Sequence, residues 1–417
     1  MRLLRTTSPA ARAALAALTD RSSAAYERVL PQARRIVDSV RRGGDPALLR
    51  LRSRLDHIPS QVPLRIPEVE MRLAWESTHA ETRQALKTAA RNIRAFAARQ
   101  LPRNFDLRPA PGVTTGQRVL PIASAGCYIP GGRYPLPSTL LMTVIPSQVA
   151  GVARIVAVSP HPAKETLAAA SMLGVTEFYR VGGAQAIAAL AYGTPSIPRV
   201  DKIVGPGNAW VTAAKKLVAF DCSIDMLAGP TEILVASETG DPASIAADLV
   251  AQAEHDPDAV AIFITTRAAL AKAVAVETKR RARTNKVAAA ALAKNGLTLI
   301  ARSFDEARNL VNRIAPEHLT VDAAADLAWV RNAGSVFIGR WSAQPLGDYV
   351  SGPNHTLPTS GLARTRGGLS VHDFVRMITV QEYTQAGVRQ LSAAAVRLAG
   401  AEGLTGHAEA IRERGIR

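Results

Sequence analysis

From residue 154 to residue 338 short β-branched runs alternate with alanine-rich helical runs, and this rhythm narrows the fold to a parallel α/β sheet. Residues 154–158 (Arg-Ile-Val-Ala-Val) read as a buried strand, followed by Ser159-Pro160, a helix over 164–173 and a short strand at 178–181. Gly182-Gly183 opens a helix to Tyr192; a strand at 202–204, the turn Gly205-Pro206-Gly207-Asn208 and a helix to Ala219 follow. A second set begins with a strand at 232–235. Asp241 as N-cap and Pro242 in the first turn start a helix, then come a strand at 260–264 and one long helix over 268–295. Further strands are expected at 299–300 and 335–338. The flanks differ. Residues 8–100 read as helices closed by Pro102 and a loop, and the region after Gly367 as a polar, helical C-terminal arm. There is no internal repeat and no low-complexity linker.

With aromatics at 5% of 417 residues, the core must be built from Ala, Val, Leu and Ile. Cys127 and Cys222 are the only cysteines, which excludes a disulfide framework and a cysteine zinc site and fits a reducing, cytoplasmic setting. No stretch approaches the roughly 20 uninterrupted apolar residues of a membrane span. Residues 1–12 carry Arg2, Arg5 and Arg12 without the apolar core of a secretory signal, and read as the start of an amphipathic helical region. The net charge of +17 comes largely from arginines spread along the chain without interleaved aromatics. That argues against a nucleic-acid face, although it suits an anionic ligand such as a dinucleotide.

The residues that can carry chemistry begin with Glu317-His318, directly after Pro316. An imidazole suits removal of an alcohol proton, and a carboxylate suits activation of water. Asp248, Gln252 and His255 share one helix face, where Gln252 and His255 can offer an oxygen and a nitrogen to one metal ion or simply bond to neighbours. Asp348 lies in a loop of small residues that also holds His355, and is either a third ligand or the centre of an Asx-turn. On spacing alone Glu402 and His407 are surface residues. Two glycine-rich segments, 128–132 and 205–208, can approach a phosphate, yet neither is G-x-G-x-x-G followed by a ribose-binding acid. Cys127 has no nearby His and reads as a small packed residue.

Taken together, 128–132, 181–190, 200–208, 228–232, 252–255, 316–318 and 347–349 resemble, in order, the blocks of the histidinol dehydrogenase family. The resemblance implies an α/β fold of two incomplete Rossmann-like parallel-sheet domains with a helical N-terminal region and a helical C-terminal arm. The division is an N-terminal helical extension at 1–23, a first α/β domain from 24–127 and 233–369, a coenzyme domain at 128–232 and a dimer-exchange arm at 370–417. It implies NAD-dependent, zinc-requiring oxidation of L-histidinol to L-histidine through an enzyme-held aldehyde. His318 resembles the base that takes the alcohol proton and Glu317 the base that activates water. Gln252, His255, Asp348 and His407 resemble the zinc ligands, His407 being given across a homodimer. Thr231 and Glu402 match substrate contacts, as do His318 and the zinc ligands themselves, and Tyr128, Gln185 and Asn208 match NAD contacts. Neither nucleic acid nor membrane is expected as a partner. One departure is Arg133-Tyr134-Pro135, where many members carry small residues. It keeps open an NAD-dependent dehydrogenase of another polar alcohol, such as a sulfonated diol. From other classes, a zinc hydrolase with Glu317 as base predicts no NAD dependence, and a basic nucleic-acid-binding protein predicts salt-dependent DNA binding.

Overall fold

Two wholly parallel sheets carry the molecule. The structure, a computed structural model, describes residues 1–19, 24–131 and 136–415. Its strands, in chain order, are β1 (Arg2–Arg5), β2 (Phe105–Ala110), β3 (Val113–Pro121), β4 (Ser124–Tyr128), β5 (Arg154–Val158), β6 (Glu177–Tyr179), β7 (Lys202–Val204), β8 (Ser223–Ile224), β9 (Glu232–Ala236), β10 (Val260–Thr265), β11 (Leu297–Ile300), β12 (His318–Val321), β13 (Ser335–Ile338) and β14 (Val375–Tyr383). One sheet has the order β6-β5-β4-β7-β8 and the other β1-β11-β10-β9-β12-β13. In each the chain builds outward on one side of a central strand and then crosses to the other, as in doubly wound folds. The α/β class expected from the sequence is the class found.

Side-chain alternation along the strands explains why both faces of each sheet are covered. In the six-stranded sheet Ile233, Val235, Ala261 and Phe263 face the helices Pro242–Ala253, Ala268–Ala282 and Lys286–Asn295. Leu234, Ile262, Ile264, Leu299 and Leu319 face Pro9–Thr19 and Phe304–Ile314. In the five-stranded sheet Ala125, Cys127, Ala157 and Phe178 pack under Glu68–Ser77, Ala80–Gln100 and Pro137–Ala150. Val156, Val158 and Ile203 pack under Leu30–Leu55 and Gly183–Tyr192.

Several segments depart from expectation. Arg2–Arg5 is a strand that pairs with β11 at the sheet edge, so the N-terminal region is not all helical. The helices between residues 30 and 100 lie on the five-stranded sheet, because the apolar stripe of Ile36, Val37, Val40, Leu48 and Leu51 matches that face rather than the sheet of residues 232–338. The long helix expected over 268–295 is two helices; Asn285 accepts from Val287 N and Ala288 N and starts the second. The loop after Pro102 and the start of the C-terminal arm form an antiparallel ribbon, β14-β3-β2. Helices Gln385–Ala401 and Thr405–Gly415 follow it and pack on each other. Among the described residues no helix is long and apolar enough to cross a membrane.

Candidate active site

Glu317 and His318 stand where a helix turns into a central strand. Helix Phe304–Ile314 ends at Ala315, a non-glycine residue with φ 52°, and β12 begins at His318 between β9 and β13. Left-handed backbone at an alanine costs on the order of 1 kcal/mol, and here it lets Pro316 and Glu317 enter the strand at the amino edge of the sheet. Thr231 immediately precedes β9 at the same edge. Its hydroxyl donates to Glu317 Oε2 at 2.6 Å, and Glu232 N donates to the same oxygen at 2.8 Å. Both bonds fall on Oε2, which leaves Oε1 to take a proton.

His318 Nδ1 lies 3.1 Å from the Glu232 carbonyl, which can only accept, so Nδ1 carries the hydrogen and the neutral ring keeps its lone pair on Nε2. Nε2 is 3.5 Å from Asp348 Oδ1. Glu317 and His318 are 6% and 3% exposed. Burial pushes Glu317 up to about 7, although His318, Thr231 and Glu232 N pull it down. Burial alone would lower His318, but Glu317 and Asp348 outweigh it and hold the imidazole above its ordinary value. Asp348 stays below the usual carboxylate range, because His318 overcomes its burial. A carboxyl near neutrality beside an oriented imidazole can exchange protons with substrate or water at physiological pH.

A cavity of about 360 Å³ opens on His318, lined also by Phe337, Trp341, Asp348 and His355 among others, with Glu317 behind His318. His355 joins it through Nδ1, 2.8 Å from the Asp348 carbonyl. The sequence assigned His355 no role; its one signal was the loop it shares with Asp348. Burial holds its pKa down, and His255 is close enough to add to that.

Gln252 is 1% exposed and donates through Nε2 to Thr231 Oγ1, while its Oε1 is buried without a hydrogen-bond partner. The orphaned amide oxygen of Gln252, the carboxylate of Asp348 and the imidazole of His255 are donor types that suit a divalent cation. Among the described residues no three His, Cys, Asp or Glu side chains group closely enough to hold an ion. Gln252, His255 and Asp348 include just two of these types, so a closed shell needs another donor. Glu402 and His407 are exposed on the arm, and neither lines the cavity of its own protomer.

Tyr128, Gln185 and Asn208 gather at the carboxyl edge of the five-stranded sheet. Tyr128 ends β4, and Asn208 follows β7, its neighbour. The winding reverses between these strands, which is where doubly wound sheets bind ligands. Asn208 Oδ1 caps helix Ala209–Val218. Gly205 has φ +113°, and a Cβ there would sit 2.2 Å from the Tyr128 carbonyl, so only glycine fits. A buried ion pair fixes this turn: Lys215 Nζ meets Asp225 Oδ1 at 2.7 Å, and Asp225 Oδ2 accepts from Gly205 N at 2.8 Å. Cys127 is fully buried and its thiol is pushed up to about 12 by that burial, as suits a packed residue. Arg133, Tyr134 and Pro135 lie outside the described residues.

The chain is similar to known proteins over nearly its whole length. The family model for histidinol dehydrogenase matches residues 19–415. The histidinol dehydrogenase of Methanothermobacter thermautotrophicus is 44% identical over 414 residues, covering 95% of this chain and 96% of that relative. The one from Geobacillus kaustophilus is 46% identical, covering 91% and 92%. A crystal structure of histidinol dehydrogenase from Elizabethkingia anophelis superposes with a TM-score of 0.93 at 32% identity, covering 99% of this chain and 98% of that one. An oxidoreductase by these matches, the chain belongs to the histidinol dehydrogenase family.

Proposed function

We propose that this enzyme oxidises L-histidinol to L-histidine in two hydride transfers to NAD, with one zinc ion per subunit, in the cytoplasm, as the last steps of histidine biosynthesis. The observation that carries this reading is the buried Glu317–His318 pair, whose side chains are fixed through Glu317 Oε2 and His318 Nδ1, so that Glu317 Oε1 and His318 Nε2 are left as base atoms.

In the first oxidation His318 Nε2 takes the hydroxyl proton as hydride leaves the adjacent carbon, and the aldehyde stays in the cavity. Glu317 Oε1 then takes a proton from water as the water oxygen bonds to the aldehyde carbon, and His318 returns its proton from Nε2 to the aldehyde oxygen, which completes the hydrate. With Nε2 free again, His318 removes a hydroxyl proton of the hydrate while the second hydride leaves, and the carboxylic acid so formed ionises to the carboxylate. Bound NAD supplies the hydride acceptor at both oxidations, against Tyr128, Gln185 and Asn208. Gln252, His255 and Asp348, with His407 of the partner subunit, would hold zinc, which supplies a grip on the substrate's amine and imidazole. Thr231, with Glu402 of the partner subunit, completes the substrate contacts.

Apolar side chains on the ribbon and arm support a homodimer with exchanged arms. Leu107 is 58% exposed and Leu398 65%, and Phe105, Met377 and Leu404 are exposed with them. Such a surface on two faces of a thin ribbon is normally covered by another chain.

The test supplies purified protein with NAD, zinc and histidinol and counts NADH formed per histidinol consumed. Two is expected. Turnover of a sulfonated or simple diol with none of histidinol would overturn the substrate assignment.

A further inference from the structure

Asp56 closes helix Leu30–Leu55, far upstream in sequence from the coenzyme-side glycine turn, yet its carboxylate grips that turn directly. Oδ2 accepts from Gly182 N at 3.0 Å and Oδ1 from Gln185 Nε2 at 3.0 Å. Its backbone carbonyl accepts from His161 Nε2 at 2.7 Å. One residue therefore ties together the loops after β5 and β6 at the carboxyl edge of the five-stranded sheet. The next amide along, Gly183 N, donates to the Tyr128 hydroxyl at 3.1 Å, so both N–H groups of the turn are held by side chains. The chain reaches this position with His57 at φ 55°, an unfavourable conformation for a non-glycine residue that needs compensation nearby.

We infer that Asp56 is a positioning residue for the coenzyme, acting through Gln185 and the Gly182-Gly183 turn. This rests on the reading of Gln185 as an NAD contact. A carboxylate can only accept, so it compels Gln185 to turn its nitrogen inward and fixes its Oε1 and second N–H for a ligand. The fingerprint acid missing from the local sequence has here a counterpart that arrives from a separate helix. It acts on the protein side of the site.

Asp56→Asn keeps the shape and removes this constraint, since an Asn amide can face Gln185 with either end. The expected result is a KM for NAD raised about tenfold, with kcat at saturating NAD and KM for histidinol within about twofold of the parent. A residue that merely supported the fold would lower the amount of active enzyme and leave KM for NAD unmoved. In a Gln185→Ala background the Asp56→Asn effect should shrink, because the two act through one contact. An unchanged KM for NAD in a cooperatively melting variant, or an effect undiminished in that background, overturns the inference. If Asp56→Asn does not fold, Asp56→Glu displaces both bonds while keeping the charge, with the same expectation. Gln185→Ala and Asn208→Ala are the controls: if neither raises KM for NAD, the coenzyme reading itself fails; if they do and Asp56 variants do not, Asp56 alone is dismissed.

Discussion

Replacing Glu317 by Gln separates the two proton transfers of the site and does so with opposite effects on stability and activity. Gln has the same length, and its Oε1 can accept the bonds from Thr231 Oγ1 and Glu232 N, but it cannot take a proton. A carboxyl held near 7 instead of 4.5 carries an ionisation penalty of about 3 kcal/mol. The folded state binds this proton more tightly than the unfolded chain does. The penalty is therefore absent below about pH 4.5, grows as pH rises, and is complete above about pH 7. Glu317→Gln should match the parent in urea melts near pH 4.5 and exceed it at pH 8 by about 2 to 3 kcal/mol, measured on metal-free protein. Hydration of the aldehyde should slow by about 10² to 10⁴. NADH formed per active site in the first turnover should then drop from two towards one. Loss of Glu317 also removes the largest upward influence on His318, so the acid limb of alcohol oxidation should move to lower pH. Equal slowing of both hydride transfers, or a loss of stability at pH 8, would refute the division of roles.

Asp225→Asn breaks a buried ion pair and strands the Lys215 charge, so unfolding free energy in urea should fall by about 3 to 5 kcal/mol, and a loss under about 1 kcal/mol would contradict the assigned role. Gly205→Ala drives a methyl into the Tyr128 carbonyl at a strained φ; titration with NAD should give weaker binding, with zinc content unaltered. His255→Ala and His407→Ala should each lose zinc by metal analysis. Subunit exchange between the two inactive variants should restore about a quarter of the parental activity, since half the dimers are mixed and each holds one intact site. No recovery on verified exchange would place all ligands in one chain.

Elements with an inward face were legible in the sequence. β5, β9 and β10 are short apolar runs bounded by turn residues, and Asp241 caps its helix as its sequence suggests, accepting from Ser244 N. The ribbon β2, β3 and β14 was not legible because it has almost no buried face: β2 and β14 are nearly all exposed, and the short alternation at 105–108 points its apolar side chains to the surface as well. β12 is four residues long and starts with a buried histidine, His318, which hides its apolar signal. At the site, the adjacency of Glu317 and His318 was visible, whereas His255, expected on the helix face of Gln252, lies beyond that helix, which ends at Ala253. The Gln252–Thr231–Glu317 chain and the grip of Asp56 on Gln185 were not, because crossovers between parallel strands, not sequence proximity, bring those residues together.

The two candidate sites lie at opposite edges of their sheets. Tyr128 and Asn208 lie at the carboxyl ends of β4 and β7, whereas Thr231, Glu317 and His318 lie at the amino ends of β9 and β12. At the carboxyl edge of the six-stranded sheet the loops after β9, β10 and β12 bond to one another. Asp322 there accepts from the Ser237 hydroxyl and from Glu238 N and Thr239 N, and Glu238 accepts from Thr265 and Thr266. The short linker 225–231 joins the two edges: it begins at Asp225, bound to Gly205 N, and ends at Thr231, bound to Glu317. On the proposed reading a carbon that gives up hydride must sit against its acceptor, which requires the Gly205 turn and the Thr231 hydroxyl to keep fixed positions relative to each other. A linker anchored at both ends by hydrogen bonds to carboxylates meets that requirement.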